Sequence, residues 1–157
     1  MSPVAGPAGW AGAAAGPPAP TAAAQRPLPQ PSELTAGFWA AARRRELVRP
    51  LCGGCGRSFF TPQVACPHCL CEDWTWARSS GRGVVYSATV VHRAPYPGFE
   101  VPYELATIDM EEGWTMLSDL VGTDGAPTPI GTPVRVDWLD LGKVVLPQFR
   151  PDEEAAR

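Results

Sequence analysis

The chain has 157 residues, a formal net charge of −3 and a hydrophobic content of 45%. That length fits one compact domain, or a small module with a tail, and excludes two full-sized cores. The acidic balance argues against non-specific nucleic-acid binding, whose affinity comes from Lys and Arg on phosphate. The basic residues Arg43, Arg44, Arg45, Arg49, Arg57, Arg78, Arg82 and Arg93 nevertheless fall in the first half of the folded part, and most acids follow Glu100, so a local positive face is expected.

Residues 1–31 are nearly all Ala, Pro and Gly, with one charge at Arg26 and no apolar period. Such a composition reads as a disordered tail or a linker. Pro3, Pro7, Pro17 and Pro18 interrupt every stretch apolar enough for a secretory signal, and no basic leader precedes them. No run of about 20 apolar residues spans a membrane, so the expected location is cytoplasmic.

Residues 32–50 carry a short helix in TAGFWAAARRREL. Thr35 is the candidate N-cap, the alanines favour helix, and Arg43, Arg44 and Arg45 fall in the last turns, where positive charge suits the dipole. Phe38 and Trp39 are its only large apolar groups. They pack either on the rest of this chain or on a partner protein, and both readings stand open.

Residues 51–77 contain all five cysteines, in CGGCGRSFFTPQVACPHCLC. Cys52-x2-Cys55 and Cys66-x2-Cys69 form two knuckles, each presenting two thiolates from one tight turn, and four such sulfurs suit tetrahedral zinc. Zinc is favoured over iron in the same site, over redox dithiols, and over disulfides, which a reducing cytosol disfavours. Gly56 follows the first knuckle where positive φ lets backbone N–H groups face sulfur; Leu70 occupies the matching place in the second. Cys71 reads as a bystander thiol in preference to an alternative ligand, and His68 as a surface residue. Four protein ligands leave no open coordination position, so the metal is expected to replace a core that so short a module cannot build.

Residues 78–151 change to a period of two, and residues 152–157 form a short C-terminal tail. In GVVYSATVVHR, Val84, Tyr86, Ala88, Val90 and His92 share one face; in PVRVDW, Val134, Val136 and Trp138 alternate with polar residues. Further strands are expected at YELATIDM, WTMLSDLV and KVVLPQF, with Pro147 suited to an edge. GTDGAPTPIGTP has too much Gly and Pro for a helix and is expected to be a loop. The fold class is therefore mostly β: an N-terminal helix, a rubredoxin-like zinc ribbon, and a five-stranded barrel of the OB type.

Sequence patterns of a catalytic site are absent. The chain has two histidines and no nucleophile elbow, Walker loop or dinucleotide fingerprint. His92 is the one candidate for acid–base work and reads better as a packed or interface residue. It precedes Arg93 and the loop APYPGFEVP, whose Tyr96, Phe99 and three prolines make a rigid aromatic surface fit to touch a partner enzyme or its ligand. Glu111 and Glu112 read as a solvated hairpin tip.

Taken in order, FWAAARRREL, CGGCGRSFFTPQVACPHC, SGRGVVYSATVVHRAPYPGFEVPYELATIDMEEG, then DLVG, IGTPVRV and LPQFRP, the chain resembles the zinc-ribbon plus OB-fold accessory proteins once filed as domain of unknown function thirty-five. The resemblance runs from about Phe38 to Pro151; the ribbon alone is generic, while the ribbon joined to SGRGxVYSxTVVHRAPxPGF is specific. This sequence departs from the family at Leu70-Cys71, where a glycine and a small polar residue are common. The resemblance implies a non-catalytic subunit working beside thiolase-fold enzymes on acyl-CoA thioesters. Partners of the family include thiolases, related acyltransferases, hydroxymethylglutaryl-CoA synthases and steroid side-chain aldolases, and some members are fused to a hot-dog hydratase. Under that reading Phe38, Trp39, Arg82, His92, Arg93, Tyr96 and Phe99 are the candidate contacts to the partner or to acyl-CoA at the shared interface, and arginines such as Arg78, Arg82 and Arg93 suit coenzyme phosphates.

The alternative of another class is a single-stranded nucleic-acid binder, since OB barrels and zinc ribbons both serve that end. Tyr103 and Trp114 would stack on bases, but their strands carry Glu104, Asp109, Glu111, Glu112 and Asp119, which repel phosphate. An independent small enzyme ranks third.

Overall fold

A computed structural model describes residues 26–123 and 125–155. Most of the expected 1–31 tail lies outside these residues. Of its remainder, 26–31 form neither helix nor strand, but Arg26 is pinned to the barrel: it pairs with Asp119 at 3.3 Å and lies 4.4 Å over the Phe99 ring.

Helix α1 spans Ala36–Arg43. Thr35 sits at its N-cap, yet makes no capping bond: its Oγ1 accepts the Ser32 N–H at 2.9 Å instead. Strands β1 (Val48–Cys52) and β2 (Trp74–Arg78) pair antiparallel, from Val48 opposite Arg78 to Cys52 opposite Trp74. They make the base of the ribbon, and residues 53–73 loop out between them.

The barrel follows with β3 (Arg82–Val91), β4 (Tyr103–Met110), β5 (Thr115–Leu120), β6 (Pro133–Asp140) and β7 (Val145–Pro151), closed in the order β3-β4-β5-β7-β6. All five expected strands are present, and 121–123 and 125–132 form neither helix nor strand, as composition dictated. The closure between β5 and β7 is parallel and rests on one registered pair, Leu120 with Phe149. Pro147 lies two residues from Phe149 and so shares its β5-facing side. There its missing N–H breaks no ladder, and its carbonyl accepts from Ser118 Oγ at 3.0 Å.

The alternation in β3 does not carry one apolar face inward throughout. Val85 is buried, whereas Val84 and Tyr86 are exposed. The register shifts between Val85 and Ser87, so Tyr86 is a bulged residue, and only beyond it do Ala88 and Val90 turn partly inward. Phe149, Ile108, Val85 and Val134 fill the barrel.

Ribbon and barrel share a core. Phe38 from α1 lies 5.3 Å from Phe60 of the ribbon loop, which lies 5.3 Å from Trp114 of the barrel. Phe38 is 5% exposed, so for Phe38 the open question about the helix resolves toward packing within this chain. Trp76 of β2 packs so closely on α1 that a Cβ at Gly37 would meet its ring at 2.2 Å.

Glu112 corrects the expectation of a solvated tip at 111–112. Glu111 is exposed, but the Glu112 carboxylate accepts from Ser79 Oγ at 2.7 Å, from the Ser80 N–H, and from Trp114 Nε1 at 3.3 Å. It clamps the connection between ribbon and barrel. Burial acts to raise its pKa, but the bonds from Ser80, Ser79, its own N–H and Trp114 outweigh burial and hold it below the ordinary 4.5. A carboxylate lowered on folding stabilises above its unfolded pKa and loses that contribution as pH falls through the folded value. Glu112→Gln is therefore expected to destabilise the chain by about 1–3 kcal/mol at neutral pH. In denaturant unfolding that difference should shrink as the pH is taken below the ordinary carboxylate value; a difference that persists unchanged in acid would contradict the charged clamp.

Candidate metal centre and partner surface

The four thiols of Cys52, Cys55, Cys66 and Cys69 converge, with all sulfurs within 4.8 Å of one another. Cys52 closes β1, the tight turn after it brings in Cys55, and the second turn supplies Cys66 and Cys69. The Cys55 N–H faces Cys52 Sγ at 3.5 Å and the His68 N–H faces Cys66 Sγ at 3.4 Å, the amide-to-sulfur pattern of a metal knuckle. Cys52 and Cys69 sulfurs are 3.5 Å apart, and Cys55 and Cys66 sulfurs 3.8 Å. Sulfurs placed about 2.3 Å from a tetrahedral centre stand about 3.8 Å from each other, so the donor set fits zinc.

Electrostatics point the same way. The Cys55 N–H, outweighing burial and helped by the Cys69 thiol, lowers Cys52 to about 6. The Cys71 N–H favours the Cys69 thiolate, but the sulfurs of Cys55 and Cys52 and burial oppose it and push Cys69 up to about 12. Sulfurs this close cannot all ionise alone; a divalent cation removes the conflict and releases the retained protons.

The two knuckles share one backbone shape. Gly56 has φ +69 and Leu70 has φ +61, so the leucine occupies the left-handed region that glycine enters freely. Cys71 stays outside the cluster, its thiol directed to the Asp73 carbonyl at 3.8 Å. His68 is exposed, as its place in the turn implied.

The expected contact residues differ in exposure and engagement. His92, Arg93 and Tyr96 are exposed in the β3–β4 connection, and among the described residues neither His92 nor Arg93 forms an ion pair or side-chain hydrogen bond. Phe99 is half-buried, 6.1 Å from the Tyr103 ring and beneath Arg26. Arg82 is engaged within the chain, 2.7 Å from the buried Asp152, and Arg78 lies 3.5 Å from Glu46. Trp39 is half-buried and lines a cleft of about 390 Å³. This cleft was not foreseen: it is assembled from the helix, Phe60 of the ribbon, Leu105 of β4, Leu117 of β5 and Leu146 of β7, residues distant in sequence.

Residues 39–74 match the ChsH2 rubredoxin-like zinc ribbon domain, and residues 76–139 match the ChsH2 C-terminal OB-fold domain. The chain is 38% identical to the Ltp2-ChsH2(DUF35) aldolase, with a TM-score of 0.72 over 79% of this chain and 98% of that one. It is 39% identical over 129 residues to a probable enoyl-CoA hydratase alpha subunit of Thermomonospora curvata, covering 82% of this chain and 40% of that protein. It is 36% identical over 99 residues to a DUF35 domain-containing scaffold protein of Pyrococcus furiosus, covering 60% of this chain and 71% of that protein. The fold and the sulfur cluster thus define a zinc-ribbon OB-fold protein. The chain belongs to the ChsH2 (DUF35) family, and it spans about 40% of the length of the hydratase alpha subunit it matches.

Substitutions separate the ligands from their neighbours. Cys66→Ser should abolish high-affinity zinc binding, while Cys71→Ser leaves it unchanged. Leu70→Gly removes a left-handed leucine, a relief of about 1–2 kcal/mol partly offset by the flexibility of glycine. Competition with a chelator should show several-fold tighter metal retention, and weaker retention would contradict the strained knuckle.

Proposed function

We propose that this chain is a non-catalytic accessory subunit that binds and supports a thiolase-fold enzyme acting on acyl-CoA thioesters. The observation that carries this reading is the match, over 98% of its length, to a chain from a complex named for two components, Ltp2 and ChsH2(DUF35), and called an aldolase. The scaffold name of the Pyrococcus relative supports a supporting role, and the hydratase name of the Thermomonospora relative supports acyl-CoA chemistry.

Within this reading Cys52, Cys55, Cys66 and Cys69 hold a structural zinc. Its task is to fold the ribbon, because four thiolates fill the coordination sphere and leave no place for substrate. The connection carrying His92, Arg93, Tyr96 and Phe99 forms a partner contact, with Tyr96 as its clearest anchor: the residue is 63% exposed on a chain segment stiffened by Pro95, Pro97 and Pro102. Trp39 contributes from the cleft, whose apolar lining suits an acyl group at the shared interface. Reduced thiols and a cytoplasmic location belong to the same reading.

The test is co-expression with the thiolase-fold protein encoded nearest to this chain, followed by the mass, subunit ratio and activity of the product. A stable complex that turns over thioester only when this chain is present is expected. A lone chain beside a fully active partner would remove the proposal. Tyr96→Ala should weaken the complex at least about tenfold without changing thermal stability, as loss of an interface anchor does; unchanged affinity would remove Tyr96 from the interface.

A further inference from the structure

Helix α1 ends in three consecutive arginines, and the manner of its ending costs free energy. The Arg45 N–H donates to Ala42 O at 2.8 Å and the Glu46 N–H to Ala41 O at 3.1 Å, the paired bonds of a Schellman ending. The residue beyond the cap in that motif is usually glycine. Here it is Arg45, at φ +58, with its side chain exposed. A strained residue whose side chain supports nothing inside the fold points to a use outside it.

Arg45 stands in a strip. Arg44 grips Glu46 through Nε at 3.1 Å and through a terminal nitrogen at 3.0 Å, and Arg78 of β2 reaches the same carboxylate. Arg49 of β1 donates to the Arg78 carbonyl and, at 2.8 Å, to Ser58 Oγ, with Arg57 next in sequence. Arg44, Arg78 and Arg49 are thus linked across the helix end and both ribbon strands, with Arg43 and Arg45 beside Arg44 in sequence and Arg57 beside Ser58. Arg43, Arg45 and Arg57 are exposed and, among the described residues, form no ion pair or side-chain hydrogen bond. The imbalance extends over the whole half-molecule. Residues 36–78 carry six arginines against three acidic residues, while residues 79–155 carry twelve acidic residues against five basic ones.

The occupant that fits is a protein surface bearing carboxylates. Glu46 already shows how a carboxylate seats between Arg44 and Arg78: two Arg44 nitrogens donate to its Oε2 while Arg78 reaches its Oε1. A nucleic-acid strand would need exposed rings to stack on, and among the described residues the exposed aromatics, Tyr86 and Tyr96, are both on the barrel side. We infer that the arginine strip of the helix end and ribbon is the electrostatic half of the partner interface and docks on a cluster of aspartate and glutamate side chains of the partner subunit. This rests on the accessory-subunit reading.

Association of the metal-loaded chain with the thiolase-fold protein encoded nearest to it tests the inference, at about 50 mM and about 500 mM salt. The wild-type complex should form about tenfold more slowly at high salt, as steered association does. Arg45→Gly separates folding from binding: it should raise Tm by removing the strained residue and yet weaken the complex about tenfold, and Arg43→Glu with Arg45→Glu should weaken it further. A complex that forms but ignores both salt and these substitutions overturns the strip and leaves the accessory role standing. No complex with the wild-type chain removes the accessory role and this inference with it. Binding of a single-stranded DNA oligonucleotide that the double substitution abolishes would also overturn it, assigning the strip to nucleic acid.

Discussion

The structure depends on the convergence of four sulfurs. The ribbon's own core comprises Phe59, Cys52 and Cys66, with Cys71 and Trp74 packed against it, far too little apolar surface to hold some 20 looping residues in place. Metal ligation supplies what hydrophobic burial cannot. Its consequence reaches beyond the ribbon because of two adjacent residues that face opposite ways: Phe59 turns into the ribbon against Trp74, and Phe60 turns out to meet Phe38 and Trp114. A ribbon that loses its shape thus withdraws the ring that joins helix to barrel.

The same coupling explains how a small chain presents two separated surfaces in a fixed relation. The Phe38–Phe60–Trp114 stack and the Glu112 clamp lock ribbon to barrel, so the two surfaces proposed as contacts, the arginines of one and the β3–β4 connection of the other, are carried on joined elements. Rigidity of this kind lowers the ordering cost of association. An accessory subunit whose task is to shape a neighbour's site needs that property more than it needs reactive groups of its own.

Sequence reading reached the elements and the metal site because both are written locally: alternation gives strands, and a C-x-x-C spacing gives a knuckle. It did not reach features set by pairing across the chain. The exposure of Tyr86 follows from a bulge opposite β4, and the engagement of Arg82 follows from Asp152, seventy residues away. Glu112 looked like a solvated tip because its partners, Ser79 and Ser80, belong to a connection more than thirty residues earlier. Phe38 could be assigned inward only once Phe60 and Trp114 stood beside it. Leu70 is the instructive opposite case: its place after the second knuckle marked it as unusual, and the backbone there is indeed left-handed.

The most direct measurement of the central claim is amide hydrogen exchange of the metal-loaded chain, alone and in the presence of the proposed thiolase-fold partner. The account predicts added protection in two stretches, the helix end and ribbon around 43–57 and the β3–β4 connection around 92–102, with little change along β6. Protection confined to other faces, or none in either stretch, would contradict it.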